Sequence, residues 1–181
     1  MTFSNPAGNA AASAGAYVQA LLGVLGDRRP LEVLAELTPW LEQRLRGAAD
    51  AALRRPEAPG KWSAVEVVQH LADSDLVFGF RSRMILSEDR PPLQGYDQDR
   101  WASLFRYRDA SPTGALAQLQ VLRDANLGIL HPLGPAELDR VGMHSERGPE
   151  SLGHLVKLMA AHDLVHRRQI ERVLAAAGNS R

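Results

Sequence analysis

Apolar positions recur at helical spacing in five stretches of this 181-residue chain, and the polar runs between them are rich in proline and glycine. Ala16 to Leu25 (AYVQALLGVL) reads as a short amphipathic helix stopped by Gly26 and Asp27. Pro30, a good first-turn residue, opens a second helix that runs to about Leu53 before RRPEAPGK breaks it. Thr38-Pro39 restarts or kinks that helix, with Thr38 as N-cap and Pro39 at the first helical position. A third helix spans about Ala64 to Glu88, and Ser63 with Glu66 matches the capping box in which each side chain satisfies a backbone donor. A fourth starts after Ser111 as N-cap and runs to about Leu130; a fifth runs from about Glu150 to Ala177, with Gly178 as its stop.

Between the third and fourth helices, Asp89 to Arg108 carries two prolines, a glycine and four aromatics: Tyr96, Trp101, Phe105 and Tyr107. The stretch reads as a long connection with at least one helical turn around Asp97 to Phe105. Such connections cover a site or plug the end of a bundle, and plugging is the expected role. No strand and no internal repeat is expected. The pattern therefore predicts an all-α four-helix bundle of residues 16–178, with a short N-terminal helix and a long mid-chain crossing connection. Residues 1–15, rich in alanine, glycine and serine, are expected to form a flexible tail.

The last helix contains the chemistry. At about 100° per residue, one face reads Leu155, Met159, His162, His166, Ile170 and Val173, so two histidines four residues apart continue the apolar stripe. Imidazoles that point inward are costly unless their nitrogens are satisfied, and a metal ion would satisfy them. On the third helix, Glu66, His70, Asp73, Val77, Phe80 and Met84 fall on one stripe, which places His70 near that helix's start on a face that turns apolar. His70, His162 and His166 are thus the candidate ligands, and three imidazoles leave coordination positions open for water and substrate. The opposing reading is a polar core network without metal. His131 precedes a proline in a connector, and His144 and His154 have no partner at ligand spacing, so structural roles are expected for all three.

Composition narrows the alternatives. Cysteine is absent, which excludes disulfides and thiolate ligands; any metal must be held by nitrogen and oxygen. The 21 basic residues balance 21 acidic ones, so neither nucleic acid nor an anionic membrane would meet a net positive field. No secretory leader and no membrane-length apolar run is visible, which makes the cytoplasm the expected address.

Three stretches also carry a family resemblance. GKWSAVEVVQHLAD (Gly60 to Asp73), YDQDRWA (Tyr96 to Ala102) and AAHDLVHRRQI (Ala160 to Ile170) resemble, in order, motifs of the DinB/YfiT-like metal-dependent enzyme superfamily. The resemblance implies an up-up-down-down four-helix bundle, often a homodimer, with a divalent metal held by His70, His162 and His166. Zinc or nickel is the first expectation for the ion, with iron or manganese behind them. Family members include transferases that use low-molecular-weight thiols, so the implied activity is metal activation of a thiol and its transfer to a small electrophilic substrate. A metal-dependent hydrolase activating water is the close alternative, and a non-catalytic, metal-stabilised binding or stress-response module is the third. Asp73 and Asp163 are candidates to orient a ligand imidazole, and Gln169, one turn-fraction beyond His166, is a candidate to line the site. A zincin-like use of HDLVH, with Asp163 as general base, fits less well, because the third ligand would lie far upstream.

Overall fold

The computed structural model describes residues 10–178. The elements run α1 (Ala10–Leu25), α2 (Pro30–Leu45), α3 (Asp50–Leu53), α4 (Ala64–Ser87), β1 (Pro92–Leu93), α5 (Gln98–Leu104), a 3-10 turn (Tyr107–Asp109), α6 (Pro112–Leu130), α7 (Pro135–Leu138), β2 (Val141–His144), β3 (Gly148–Ser151) and α8 (Leu152–Gly178). Helices α2, α4, α6 and α8 form the bundle: α4 packs on α6, α6 on α2, α2 on α8 and α8 on α4, closing a ring. Helix α1 lies outside it against α8.

Local chemistry explains most boundaries. The capping box is formed: the Ser63 amide donates to Glu66 Oε2 at 2.8 Å, and the Glu66 amide donates back to Ser63 Oγ at 3.4 Å. Asp97 caps α5 through Oδ1, which accepts from the Asp99 and Arg100 amides at 3.0 Å each. Ser111 caps α6 by accepting from the Gly114 amide. Ser151 Oγ accepts from the His154 amide and so starts α8.

Several expectations are corrected. The first nine residues of the expected 1–15 tail lie outside the described residues, but residues 10–15 are already helical, as an alanine-rich run favours. Helix α2 passes through Pro39 without restarting, because buried Leu34, Leu37, Thr38 and Leu41 hold both sides of the missing hydrogen bond in place. It stops at Leu45, where Gly47 turns the chain at φ +76°, and 50–53 is a separate single turn. A small sheet also appears where no strand was expected. Strand β1 pairs parallel with β2 (Leu93 opposite His144), and β2 pairs antiparallel with β3 (Val141 opposite Ser151). Gly142 lets this sheet close on the bundle, since a Cβ there would lie 2.6 Å from Leu93 Cδ1 and 3.0 Å from Ile85 Cγ1.

The bundle's directions differ from the up-up-down-down order that the resemblance implied. Gln69 meets Gln118 and Arg83 meets Asn126, so α4 and α6 run the same way. Glu36 meets Arg167 and Arg44 meets Glu171, so α2 and α8 also run together. Val65 clusters with Val173 while Phe78 and Ile85 cluster with Leu152 and Leu155, so α4 and α8 are antiparallel. The order is up-down-down-up. The 46–63 link, with α3 inside it, returns the chain so that α4 runs antiparallel to α2 from the opposite corner of the ring, and the long 88–111 connection carries it back so that α6 runs parallel to α4.

At the centre of the bundle sits an ion cluster. Arg123 of α6, 1% exposed, donates to Asp75 of α4 (Nη2–Oδ2 2.6 Å), to Asp163 of α8 (Nη1–Oδ2 2.5 Å) and to the Leu34 carbonyl of α2 (2.7 Å). One guanidinium therefore bonds to all three of the other bundle helices.

Candidate metal centre

His70 is fully buried on the first third of α4, and His162 and His166 are half-buried on α8. The antiparallel packing of these helices brings the three rings together at centroid separations of 4.3–5.1 Å. Their Nε2 atoms converge: His70 to His162 is 3.0 Å, and His162 to His166 is 3.1 Å. These three are also the one group of histidines and acids, among the described residues, placed to share a metal ion.

Hydrogen bonding among the rings cannot account for this arrangement. His166 Nδ1 lies 2.8 Å from Gln169 Oε1, an acceptor, so its proton is on Nδ1 and its Nε2 presents a lone pair. A neutral His162 can donate from Nε2 to only one neighbour. At least one lone-pair contact remains unsatisfied, and Nδ1 of both His70 and His162 is buried with no partner among the described residues. A divalent ion at about 2.0–2.1 Å from each nitrogen in tetrahedral geometry would hold them about 3.3 Å apart, close to the observed spacing. The donor set fits such an ion.

The electrostatics keep the ligands in the form a metal needs. Burial, then the neighbouring His166, holds His70 well below the usual imidazole range; burial followed by His166, His70 and Arg123 does the same to His162. Burial lowers His166 to about 4, although Gln169 opposes the shift. All three are neutral at pH 7, and neutral imidazole is the coordinating species.

The acids expected beside the ligands are engaged elsewhere. Asp73 accepts the Tyr107 hydroxyl at 2.5 Å and the side-chain amides of Gln69 and Gln118. Asp163 turns into the bundle to meet Arg123, and burial raises its pKa to about 6 against the opposing pull of that arginine. Neither acid has a hydrogen bond to a ligand imidazole. Gln169 does, through His166 Nδ1. Of the other histidines, His131 is exposed at the end of α6, His154 lies in the first turn of α8, and His144 is buried on β2, where its Nδ1 accepts from the Glu146 amide.

Two neighbours of the cluster were not singled out from the sequence. Ser74 Oγ lies 3.5 Å from His70 Nε2 and 3.1 Å from the hydroxyl of Tyr96, which arrives from the long connection. Tyr96 stacks on Trp101 at 4.5 Å, and Trp101 meets Phe105 edge-on at 5.6 Å. The connection therefore brings a hydroxyl to the edge of the histidine cluster and does more than plug the bundle. Ser74 at i+4 from His70 was legible in the spacing; the approach of Tyr96 depends on the sheet. Trp101 and Phe105 also wall a separate hollow of about 420 Å³ with Gln69, Asp73, Leu76, Tyr107 and Ala110, which none of the three histidines lines.

A four-helix bundle whose antiparallel α4 and α8 converge three neutral histidines defines the structural class. The chain belongs to the DinB superfamily, whose family model matches residues 34–170. It is 32% identical over 116 residues to the protein named "Putative metal-dependent hydrolase YfiT" of Bacillus subtilis (strain 168), covering 64% of this chain and 65% of that one. A similarly named protein of Oceanobacillus iheyensis is 29% identical over 107 residues, 59% of this chain and 62% of that one. The chain thus spans slightly less than two thirds of these two relatives. A Bacillus licheniformis protein of the same description is 30% identical over 133 residues, covering 67% and 76%. The solved structure of Bacillus subtilis YfiT, described as a "probable metal-dependent hydrolase with an unusual four-helix bundle topology", superposes with a TM-score of 0.77 at 29% identity, covering 82% of this chain and 86% of that one.

Proposed function

We propose that the protein is a metal-dependent hydrolase that holds a divalent ion on Nε2 of His70, His162 and His166. The observation that carries this reading is the convergence of three neutral imidazole Nε2 atoms through contacts of 3.0 and 3.1 Å, whose lone pairs the rings cannot satisfy among themselves. The hydrolase descriptions of the relatives favour water over a thiol as the nucleophile. A divalent ion in such a site supplies a Lewis acid that makes a coordinated water acidic near neutral pH. The chain's own residues do the rest. Gln169 fixes the tautomer and rotation of His166, and Trp62 packs on His70 at 5.0 Å and limits its ring. Tyr96 is kept protonated, since burial raises its pKa while the Ser74 contact only partly opposes the shift. The Tyr96 and Ser74 hydroxyls bond to each other, so one of the pair accepts and the other is available to donate to a substrate oxygen beside the centre.

Metal analysis of protein purified without chelator, wild type against His162→Ala, tests the site. One ion per chain in the wild type and none in the variant is expected; no metal in either removes the proposal. Zinc-loaded protein should then hydrolyse an activated carboxylic ester, with activity lost on chelation. Chelation-sensitive conjugation of a low-molecular-weight thiol to monobromobimane, without ester hydrolysis, would replace water by a thiol and make the protein a transferase.

A further inference from the structure

Arg81 is placed apart from the other cations among the described residues. It stands eleven residues after His70 on α4, only about 20° away around the helix, so His70, Ser74 and Arg81 share one stripe. Eleven residues are about 16 Å of helix axis, and helical side chains lean back towards the N-terminal end, where His70 lies. The gap between guanidinium and imidazole is thereby reduced to the order of 10 Å. The long connection fills one side of it: Arg81 donates through Nη2 to the Gln94 carbonyl, and two residues on, Tyr96 reaches Ser74.

Arg81 is held by a carbonyl and not by an acid. Its Nε is buried with no hydrogen-bond partner, and no carboxylate lies within 4.0 Å of it among the described residues. Arg123 shows how the fold treats a cation meant only for structure, with two acids and a carbonyl around it. The groups facing Arg81 are Arg147, Tyr96, Glu150 and Glu146. Arg147 and Glu150 cancel one another in a two-pronged pair (2.6 and 2.8 Å), and Glu146 is exposed. His144, beside them on β2, is neutral. Burial, then the like charge of Arg147, works against the Arg81 cation, and the Gln94 carbonyl and the more distant Tyr96, Glu150 and Glu146 offset this only in part.

We propose that Arg81 anchors a carboxylate on the substrate, at the end remote from the bond cleaved beside the three histidines. A single guanidinium matches the single charge of a carboxylate. A planar guanidinium with a free Nε–H matches the geometry of carboxylate. This assignment rests on the hydrolase reading for the reaction, but not for the binding of the anion.

The test compares two esters of matched length on zinc-loaded protein: the mono-4-nitrophenyl ester of adipic acid, which ends in a carboxylate, and 4-nitrophenyl hexanoate, which does not. The wild type is expected to favour the adipate ester at least tenfold in kcat/KM. Arg81→Gln should abolish that preference, mainly through KM, while hexanoate turnover stays within twofold; Arg81→Lys should restore part of it. Equal loss on both esters would show that Arg81 only pins the long connection at Gln94, and absence of preference in the wild type would equally overturn the assignment. If neither ester is hydrolysed, the hydrolase reading fails, and calorimetric titration with adipate decides the anchor. Binding weakened at least tenfold in Arg81→Gln supports it; equal binding in both proteins, or none in either, overturns it.

Discussion

Arg123→Met removes one side chain and leaves two carboxylates buried at 0% exposure with no cation between them. Deleting one partner of a buried ion pair costs about 3–5 kcal/mol, because the other charge is stranded. Here two are stranded, and they flank the same guanidinium. The variant can relieve the repulsion by protonating one carboxyl, but from an ordinary pKa near 3.9 that costs up to about 5 kcal/mol at pH 7.5, at about 1.4 kcal/mol per unit. A loss of about 4–6 kcal/mol at pH 7.5 follows. The sign of the pH dependence is fixed by the same argument. The stranded carboxyl has a folded pKa above its unfolded one, so the variant gains stability as pH falls through the folded value. Wild-type Asp163, raised to about 6, gains a smaller amount in the same direction. Urea unfolding of metal-free protein at pH 7.5 and 5.5, followed by helical circular dichroism, should show the deficit shrinking by about 1.5 kcal/mol or more on acidification. If Arg123→Met does not fold at pH 7.5, recovery of its helical circular dichroism on acidification to pH 5.5 carries the comparison. A deficit below about 1.5 kcal/mol, or one unchanged between the two pH values, would refute the reasoning.

Gln169→Leu removes the acceptor on His166 Nδ1 and should weaken metal binding about 10–100-fold in competition with a chromogenic chelator, with little change in the melting temperature of the metal-free protein. Gly79→Ala puts a methyl group against the Asn126 side chain where α4 meets α6, and should cost about 1–3 kcal/mol in urea unfolding. His144 is lowered to about 4 by burial, then Arg147 and Arg81, so its contribution is present above pH 6.5 and is lost as pH falls towards 4. His144→Asn should therefore flatten the acid branch of the stability profile by up to about 3 kcal/mol near pH 4; an unchanged slope would contradict the assignment.

Helical periodicity carried most of this structure. The long helices are autonomous in pattern, and Ser63, Asp97 and Ser111 mark their starts through contacts no more than three residues away. His162 and His166 were legible for the same reason, since their relation is set by one helix turn. His70 needed a second element, and there the capped start of α4 and the family motif supplied what periodicity lacked. The sheet was invisible because VGMH and GPES are too short to alternate and one contains proline. The helix directions were misjudged because they depend on where the 88–111 connection lands, which is a long-range fact. Arg81, Tyr96 and Arg123 were missed as functional residues on the same ground: each is defined by partners 13 to 89 residues away in the chain.

The ion cluster and the histidines are two faces of one construction. On α8 the proposed ligand His162 is followed immediately by Asp163, about 100° around the helix, so one residue faces the histidine cluster while the next faces the bundle axis. On α4, Asp75 follows His70 by five residues and turns about 140° away to the same axis. Arg123 grips both acids and so fixes the rotation of the two helices that deliver the ligands. A rotation of either helix that moved an Nε2 by 1 Å would have to break a charge-assisted hydrogen bond of 2.5–2.6 Å in the cluster. The cluster therefore holds the metal-binding geometry in place before any ion arrives, and Arg123→Lys should lower zinc affinity by about tenfold or more. Gly142→Ala, which crowds Leu93 and Ile85 where the sheet meets the bundle and lies away from Asp75, Arg123 and Asp163, should leave zinc affinity within twofold. Equal losses in the two variants would mean that general loosening, and not the grip on Asp75 and Asp163, sets the affinity.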